Sequence, residues 1–483
     1  MKLSFSLFLC ATLPLVSIYS QEDGTPASGK TARTGYMALK SQDLPRDEKG
    51  FLKPEVWDLV IQQAKDVPNS NEARVLAERD VYKTYYATFA NWTPPPPLPA
   101  SEGHLRNLAD APKEPRFVIT DKVWPAKPGD ASVCLWADDK LAAFSLGVDD
   151  NNAMDIPYWM ELSKKYHGLP ITWNIITANI DGVVSKGRIV QAGKWETWQK
   201  LLDEGYHLAS HSMTHNHSPV PADGWPGPDW EAAASRDAID SHLPGHKTRA
   251  FVYPGSGVHV FGIFGGYTTA SNWRPALTKY YVTARGGGGE ALNQANLIDY
   301  FNVHSTTGGV PFLLNDKDPR YAAQNLNNLL NADPKNPYYK YYRGWGNVFI
   351  HFINNGKDWT TNPFNIAYDQ ILQFCDQHRE ELWLGYFDDV ALYGEERDTA
   401  TLTTNEVRSD QLSFTLVSKM EPATFDYPLT VKVRLQDNWK GVAAKQNNAD
   451  IPATFLVHEG VPYALVKAVP DRGIVTLTPA PAK

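Results

Sequence analysis

The sequence has little cysteine, with 3 among 483 residues, and no two of them stand as C-x-x-C. That excludes a zinc-finger or thioredoxin-like site. Beyond the first twenty residues, no run approaches the roughly 18 apolar residues that a membrane-spanning helix needs. There is no basic block, and a formal net charge of −8 turns away a nucleic-acid partner. The nucleophile signature G-x-S-x-G is missing, and "GSG" at 255–257 reads as a turn, which removes a serine hydrolase. The "GGGG" at 286–289 is followed by neither G-K-[ST] nor a helix-opening pattern, so no phosphate loop is expected. Internal repeats are absent, and the proline run at 94–97 is the one low-complexity feature.

The opening "MKLSFSLFLCATLPLVSIYS" has one early lysine, an apolar stretch and small residues before Ser20. It reads as a secretory signal peptide over 1–20, which predicts a periplasmic or extracellular protein with no membrane span. Cys134 and Cys375 would then remain, in the apolar segments "SVCLWA" and "ILQFCDQ", as two buried free thiols. A composition 42% apolar and 12% aromatic supplies a large core, and 483 residues suggest several domains.

Residues 21–115 read as a polar leader, a helical hairpin (53–67 and 70–92) and a stiff proline-rich spacer. From 116 to 397 strand-like and helix-like segments alternate, the pattern of one parallel α/β domain, open or barrel-like. Its first part, "SVCLWADDKLAAFSLGV", is expected as a hairpin turning at Asp138-Asp139-Lys140, and "YAAQNLNNLLN" (321–331) as a helix. Residues 398–483 carry short strands such as "QLSFTLVS" and "PLTVKVRL", which predict a small antiparallel β-sandwich.

Sites in parallel α/β domains form where strands end. The apolar run "LAAFSLGV" ends on Asp149 and Asp150, whose side chains an extended chain would point opposite ways. Burying either carboxylate unpaired is costly. "HLASHS" delivers His211 and His215, four apart, and "NVFI" delivers His351. Two histidines and one aspartate suit zinc or a similar divalent ion with open positions for water and substrate. One aspartate of the pair can then bind the ion while the other acts as base on the water it activates. His351 fits the acid, since imidazole titrates near neutrality; a satisfied core histidine is the plainer alternative. The pairs at 138–139 and 388–389 read as solvated Asp-Asp turns, the latter with no histidine partner in view.

Taken in order, "GVDDN", "HSMTH", "FVYPGSG" and "FIH" resemble the motifs of the polysaccharide deacetylase (NodB-homology) family, of carbohydrate esterase type, over roughly 140–397. The resemblance implies a distorted (β/α) barrel. In the family's T-F-D-D-G motif Asp149 matches the general base and Asp150 the metal carboxylate, and H-S/T-x-x-H makes His211 and His215 the other metal ligands. L-x-H gives His351 the acid role. In R-x-P-Y-G, Pro254 aligns and Gly255 would supply the oxyanion N–H, but the arginine position falls on Val252. The partner of the base is thus unassigned, with Arg249 or Arg285 in reach, and Asp299 is a guess for the Asp-rich fourth motif. Gly147 and Asn151 stand where the family has Thr and Gly.

The implied ion is Zn2+, with Co2+ or Ni2+ as substitutes, and the implied partner is an acetylated polysaccharide or oligosaccharide. The implied reaction is metal-dependent hydrolysis of N- or O-acetyl groups, by an amidase or an acetyl esterase. Tyr253, Pro254, Trp345 and Trp359 are candidates for a sugar-binding wall, with Trp225 and Trp230 beside them. The alternative is a carbohydrate-binding protein on a decayed enzyme fold; intact metal positions argue against it.

Overall fold

The computed structural model describes residues 85–87, 89, 91–101, 112–180, 192–215, 226–257, 270–287, 291–307, 324–351 and 363–481. The expected signal peptide, polar leader and most of the helical hairpin lie outside these residues, as do Trp225 and Trp359. Among the described residues no helix is long and apolar enough to cross a membrane.

β1 (Ala131–Val133) is followed by β2 (Ala142–Val148), α1 (Ile156–Lys165), β3 (Ile171–Ile175), α2 (Thr177–Ile180), α3 (Trp195–Asp203) and β4 (His207–Ser210). Then come α4 (Pro228–His242), β5 (Ala250–Gly257), α5 (Ala270–Tyr280), β6 (Thr283–Gly287), β7 (Leu292–Asn293) and β8 (Thr306–Thr307). β9 (Trp345–Ile350), α6 (Pro363–Gln377), β10 (Leu382–Leu384) and α7 (Phe387–Thr399) complete this part. β2 to β10 form one curled, nine-stranded sheet of order β6-β5-β4-β3-β2-β9-β7, with β8 on β9 and β10 on β2. The fold is α/β, with a half-barrel sheet in place of the full closure that a barrel would have.

β2 is the axis of that sheet. One flank pairs with β9 over Ala143–Val148; the other pairs with β10 over Ala142–Phe144 and then with β3 over Leu146–Val148. All seven of its residues are buried. A parallel strand covered on both faces has no polar side to show, which is why "AAFSLGV" is apolar throughout rather than alternating. Its one hydroxyl is satisfied: Ser145 donates to Gly385 O (2.8 Å) and accepts from Trp345 Nε1 (3.0 Å).

Beyond α7 lie β11 (Thr401–Val407), β12 (Leu412–Val417), β13 (Leu429–Arg434), β14 (Val442–Gln446), β15 (Ala449–Ile451), β16 (Ala453–His458), β17 (Val461–Ala468) and β18 (Ile474–Pro479). They form antiparallel sheets of order β11-β12-β18-β14-β15 and β1-β13-β17-β16. One apolar cluster joins these sheets to the half-barrel, with Trp136, Trp345, Phe387 and Val390 against Phe414, Val431 and Val466.

Three expectations change. The hairpin across 132–148 does not form, because Ala131–Val133 pairs with β13 while β2 enters the half-barrel. The turn between them is solvated only in part, with Asp138 exposed and Asp139 buried. Asp139 is buried and ion-paired with Lys432 of β13 (2.7 Å), and Asp138 reaches Lys467 of β17 (2.6 Å). These contacts fasten the turn to the C-terminal sheet. In place of the helix expected at 321–331, the described residues hold a short 3-10 turn, Leu326–Leu329. Cys134 and Cys375 are buried and free, and burial pushes both thiols well above their ordinary pKa.

Candidate metal centre

The chain leaves β2 by a turn that few residue types tolerate. Asp150, Asn151 and Asn152 have φ of 61°, 65° and 40°, three successive left-handed residues. Asp and Asn enter that region more readily than other residues with a Cβ. Asn151 therefore takes the place of glycine in the resembled motif, and its side chain also holds the turn. Its Oδ1 accepts from Ile176 N at 2.9 Å and its Nδ2 donates to Ile176 O at 3.3 Å. Asn152 Nδ2 donates to Asp149 O (2.5 Å) and also to His351 O, tying the ends of β2 and β9 together.

This turn aims Asp150 at the segment after β4. His211 Nε2 and His215 Nε2 each lie 3.5 Å from Asp150 Oδ1. The donor atoms of Asp150, His211 and His215 all fall within 4.8 Å of one another. His211 Nδ1 lies 3.0 Å from Val252 O and donates to it, which leaves the Nε2 lone pair facing Asp150. Such a bond on the far nitrogen is what fixes the tautomer of a metal-ligating histidine. His215 itself has φ 56°, and its N–H donates to Ser212 Oγ at 2.8 Å. Two neutral imidazoles and one carboxylate form a donor set that fits zinc or a similar divalent ion.

Asp149 stands beside these donors, its Oδ2 3.9 Å from His211 Nε2, and is held in a cationic cradle. Arg285 NH2 lies 2.6 Å from both carboxylate oxygens, and Asn174 Nδ2 donates to Oδ1 at 2.6 Å. Arg285 NH1 donates to Ser305 Oγ (3.1 Å), and the guanidinium carbon sits 4.1 Å from the centre of the Phe349 ring. Burial alone would raise the Asp149 pKa; the Arg285 charge, with His211 and His351, outweighs it and holds the carboxyl below its ordinary value. The group is thus ionised at neutral pH. Gly147 makes room for this arrangement, since a Cβ there would stand 3.0 Å from Asn174 Nδ2.

Of the two arginines that the sequence left open, Arg285 is the one that bonds Asp149. Arg249 instead bonds Asp426 (2.8 Å), and Asp299 pairs with Arg274. His351, half-buried, follows β9 at the edge where Asp149 follows β2, and Asp149 N donates to Ile350 O at 2.8 Å. Gly255 lies in β5 at the same edge.

Two aromatic candidates are corrected. Trp345 is fully buried at the start of β9, the end remote from His351, and stacks on Phe387 with ring centres 5.3 Å apart. Tyr253 is buried with its hydroxyl donated to Phe301 O (2.6 Å). Both are core residues rather than a sugar wall. Pro254 is buried as well, and so is Trp230, which packs against Tyr86 and Phe89.

The Asp-Asp pair at 388–389 does have a histidine. His207 Nδ1 lies 2.8 Å from Asp388 Oδ1, and its ring stacks on Tyr386 at 3.8 Å. His207, Asp388 and Asp389 bring donor atoms within 4.8 Å. They gather at the N-terminus of α7, where backbone amides already favour carboxylates, and His207 forms an ion pair there. His207 begins β4 and His211 follows it, so the two clusters stand at opposite ends of one strand.

No family model matches the chain. A gellan lyase from Bacillus sp is 32% identical over 384 residues, and the match takes in 78% of this chain and 14% of that protein's length. Among solved structures, a CE4 family pseudoenzyme from Bacillus anthracis is similar with a TM-score of 0.29 and 11% identity, over 52% of this chain and 66% of its own. A peptidoglycan deacetylase from Bacillus subtilis gives a TM-score of 0.28 and 14% identity, over 52% and 89% of the two chains.

Proposed function

We propose that the chain is an exported, metal-dependent carbohydrate deacetylase of the polysaccharide deacetylase (NodB-homology) type, acting on N- or O-acetyl groups of a glycan. The observation that carries this reading is the convergence of Asp150, His211 and His215 beside an Asp149 locked by Arg285. In this reading residues 116–397 form the catalytic domain and 398–483 a sandwich behind it.

Asp150, His211 and His215 would hold a divalent ion, which would supply Lewis-acid activation of water and of the acetyl carbonyl. Asp149, kept ionised by Arg285, takes the proton of the attacking water. The Gly255 N–H donates to the oxygen that gains charge as the carbonyl carbon becomes tetrahedral. His351 then gives its proton to the departing amine or sugar oxygen, the C–N or C–O bond breaks, and acetate leaves.

The test is acetate release from a panel of N- and O-acetylated oligosaccharides by chelator-stripped protein given back zinc or cobalt. Gellan joins the panel because of the relative named for it. Metal-restored release supports the reading, and the preferred substrate separates amidase from esterase. Stoichiometric metal without release on any sugar removes the deacetylase and leaves a carbohydrate-binding protein on the same fold.

A further inference from the structure

The metal ligand His215 ends a tight loop, and that loop is held from behind by a buried acid. Thr214, its neighbour, donates its backbone N–H to Glu231 Oε2 (2.9 Å) and its hydroxyl to Glu231 Oε1 (2.5 Å). Both residues are buried, Glu231 completely. A carboxylate sealed from water costs several kcal/mol unless it is matched by donors, so this one is present for what it binds. Its own backbone donates to Gly227 O at 3.1 Å in the first turn of α4, where the amides favour a negative side chain.

The same helix face continues the contact one turn later. Ser235 Oγ lies 2.7 Å from Ser210 Oγ and 2.8 Å from Thr177 Oγ1. Residues four apart share a helix face, so Glu231 and Ser235 form a polar edge on an otherwise alanine-rich segment, "EAAAS". That edge grips Ser210 and Thr214, the residues just before each metal-binding histidine. Tyr86 adds a third contact, its hydroxyl 3.2 Å from Thr214 Oγ1. The loop between the histidines needs such support, because Ser212 and His215 both hold left-handed φ, 66° and 56°.

We propose that Glu231 is a positioning residue for the metal centre: through Thr214 it holds His215 in the left-handed conformation that turns its Nε2 toward Asp150. The proposal rests on reading Asp150, His211 and His215 as metal ligands, and it does not depend on the reaction. The step from Glu231 to the ion passes through one peptide unit, so it changes affinity and not the number of ligands. Supports of this kind are worth about 10- to 100-fold in metal affinity.

The experiment is zinc affinity, measured by competition with a chromogenic chelator, for the parent protein, Glu231→Gln, Thr214→Val and Thr214→Ser. Glu231→Gln keeps the shape but loses one acceptor; Thr214→Val loses only the hydroxyl bond. Both are expected to weaken zinc binding by about 10-fold or more at unchanged stoichiometry, and Thr214→Ser, which keeps the hydroxyl, to restore it. Thr214→Val guards against a Glu231 variant that fails to fold. Equal zinc affinity in parent and folded variants overturns the proposal, as does a lower melting temperature of the apo variants with affinity unchanged. A parent that binds no zinc overturns the metal reading itself, which is a different result from parent and variants binding alike.

Discussion

Val252 and Arg285 are parallel partners across β5 and β6, and the carbonyl of the first and the guanidinium of the second serve the same site. Val252 O receives His211, while Arg285 bonds Asp149. The deacetylase pattern asks for an arginine at 252, and here the cation comes from the neighbouring strand at the same register. An in-register parallel partner presents its side chain at the same height of the sheet, so the charge moves sideways by one strand without leaving the plane of the site.

Replacement of Arg285 by alanine leaves the buried Asp149 carboxylate without its guanidinium, with Asn174 still donating to it. The expected cost is about 3–5 kcal/mol of stability, with denaturant unfolding as the measurement. Arg285→Lys keeps the charge but loses the two-oxygen contact, so the turnover number should fall by about 10-fold or more while zinc stoichiometry holds.

Asp149→Asn removes the proposed base without touching a ligand. Turnover should drop by about 10²- to 10⁴-fold in protein that still binds one equivalent of zinc. Asp150→Ala should instead abolish zinc binding and turnover together. Undiminished turnover in metal-loaded Asp149→Asn would remove this residue from the chemistry.

A methyl group at position 147 would press on Asn174 from 3.0 Å and push its amide off Asp149. Gly147→Ala is expected to lower kcat several-fold with KM and zinc affinity nearly unchanged. Loss of zinc affinity in this variant would show that Asn174 supports the metal ligands rather than the base.

At the other end of β4, burial and then the neighbouring Asp388 charge push Asp389 up to about 7. The folded protein therefore binds more protons than the unfolded chain between the ordinary aspartate range and pH 7, and stability falls as pH rises through that window. Burial pulls His207 down, yet Asp388 raises it above its ordinary value, so its contribution too is present at low pH and lost at high pH. Asp389→Asn should stabilise the protein at pH 8 by about 1–2 kcal/mol and change little at pH 4. Melting temperatures at the two pH values check this; a variant no more stable at pH 8 would mean that Asp389 is already ionised at no cost.

Strand ends were legible in the sequence because parallel strands covered on both faces are apolar runs, and a polar residue that ends such a run stands out. Asp149, Asp150, His211, His215 and His351 stand out in that way, and the structure brings the donor atoms of Asp150, His211 and His215 together. Arg285 was visible only as one of two nearby arginines, since "TAR" before a glycine run carries no motif and its target lies 136 residues away. The His207–Asp388 pair spans 181 residues and had no signal at all. Trp345 and Tyr253 were misplaced for a plain reason: an aromatic in a strand looks the same from sequence whether it faces a cleft or a core. The hairpin at 138–140 failed because an Asp-Asp turn fixes a reversal of direction but not which sheet each arm will join.

β2 has two successive partners on one flank, and the second to arrive in the sequence fills the half that was made first. Until Leu382–Leu384 is available, the opening residues of the central strand keep a bare row of amides and carbonyls. β1 waits longer still, for residues 431–433. The sheet that carries Asp149 and Asp150 therefore lacks a partner on that flank for the first half of its central strand until residue 384 has been made. Such distant pairings slow folding and leave unpaired strand edges exposed meanwhile. A ribosome must thus have made residues as far as 433 before β1 is safe from sticking to a neighbour.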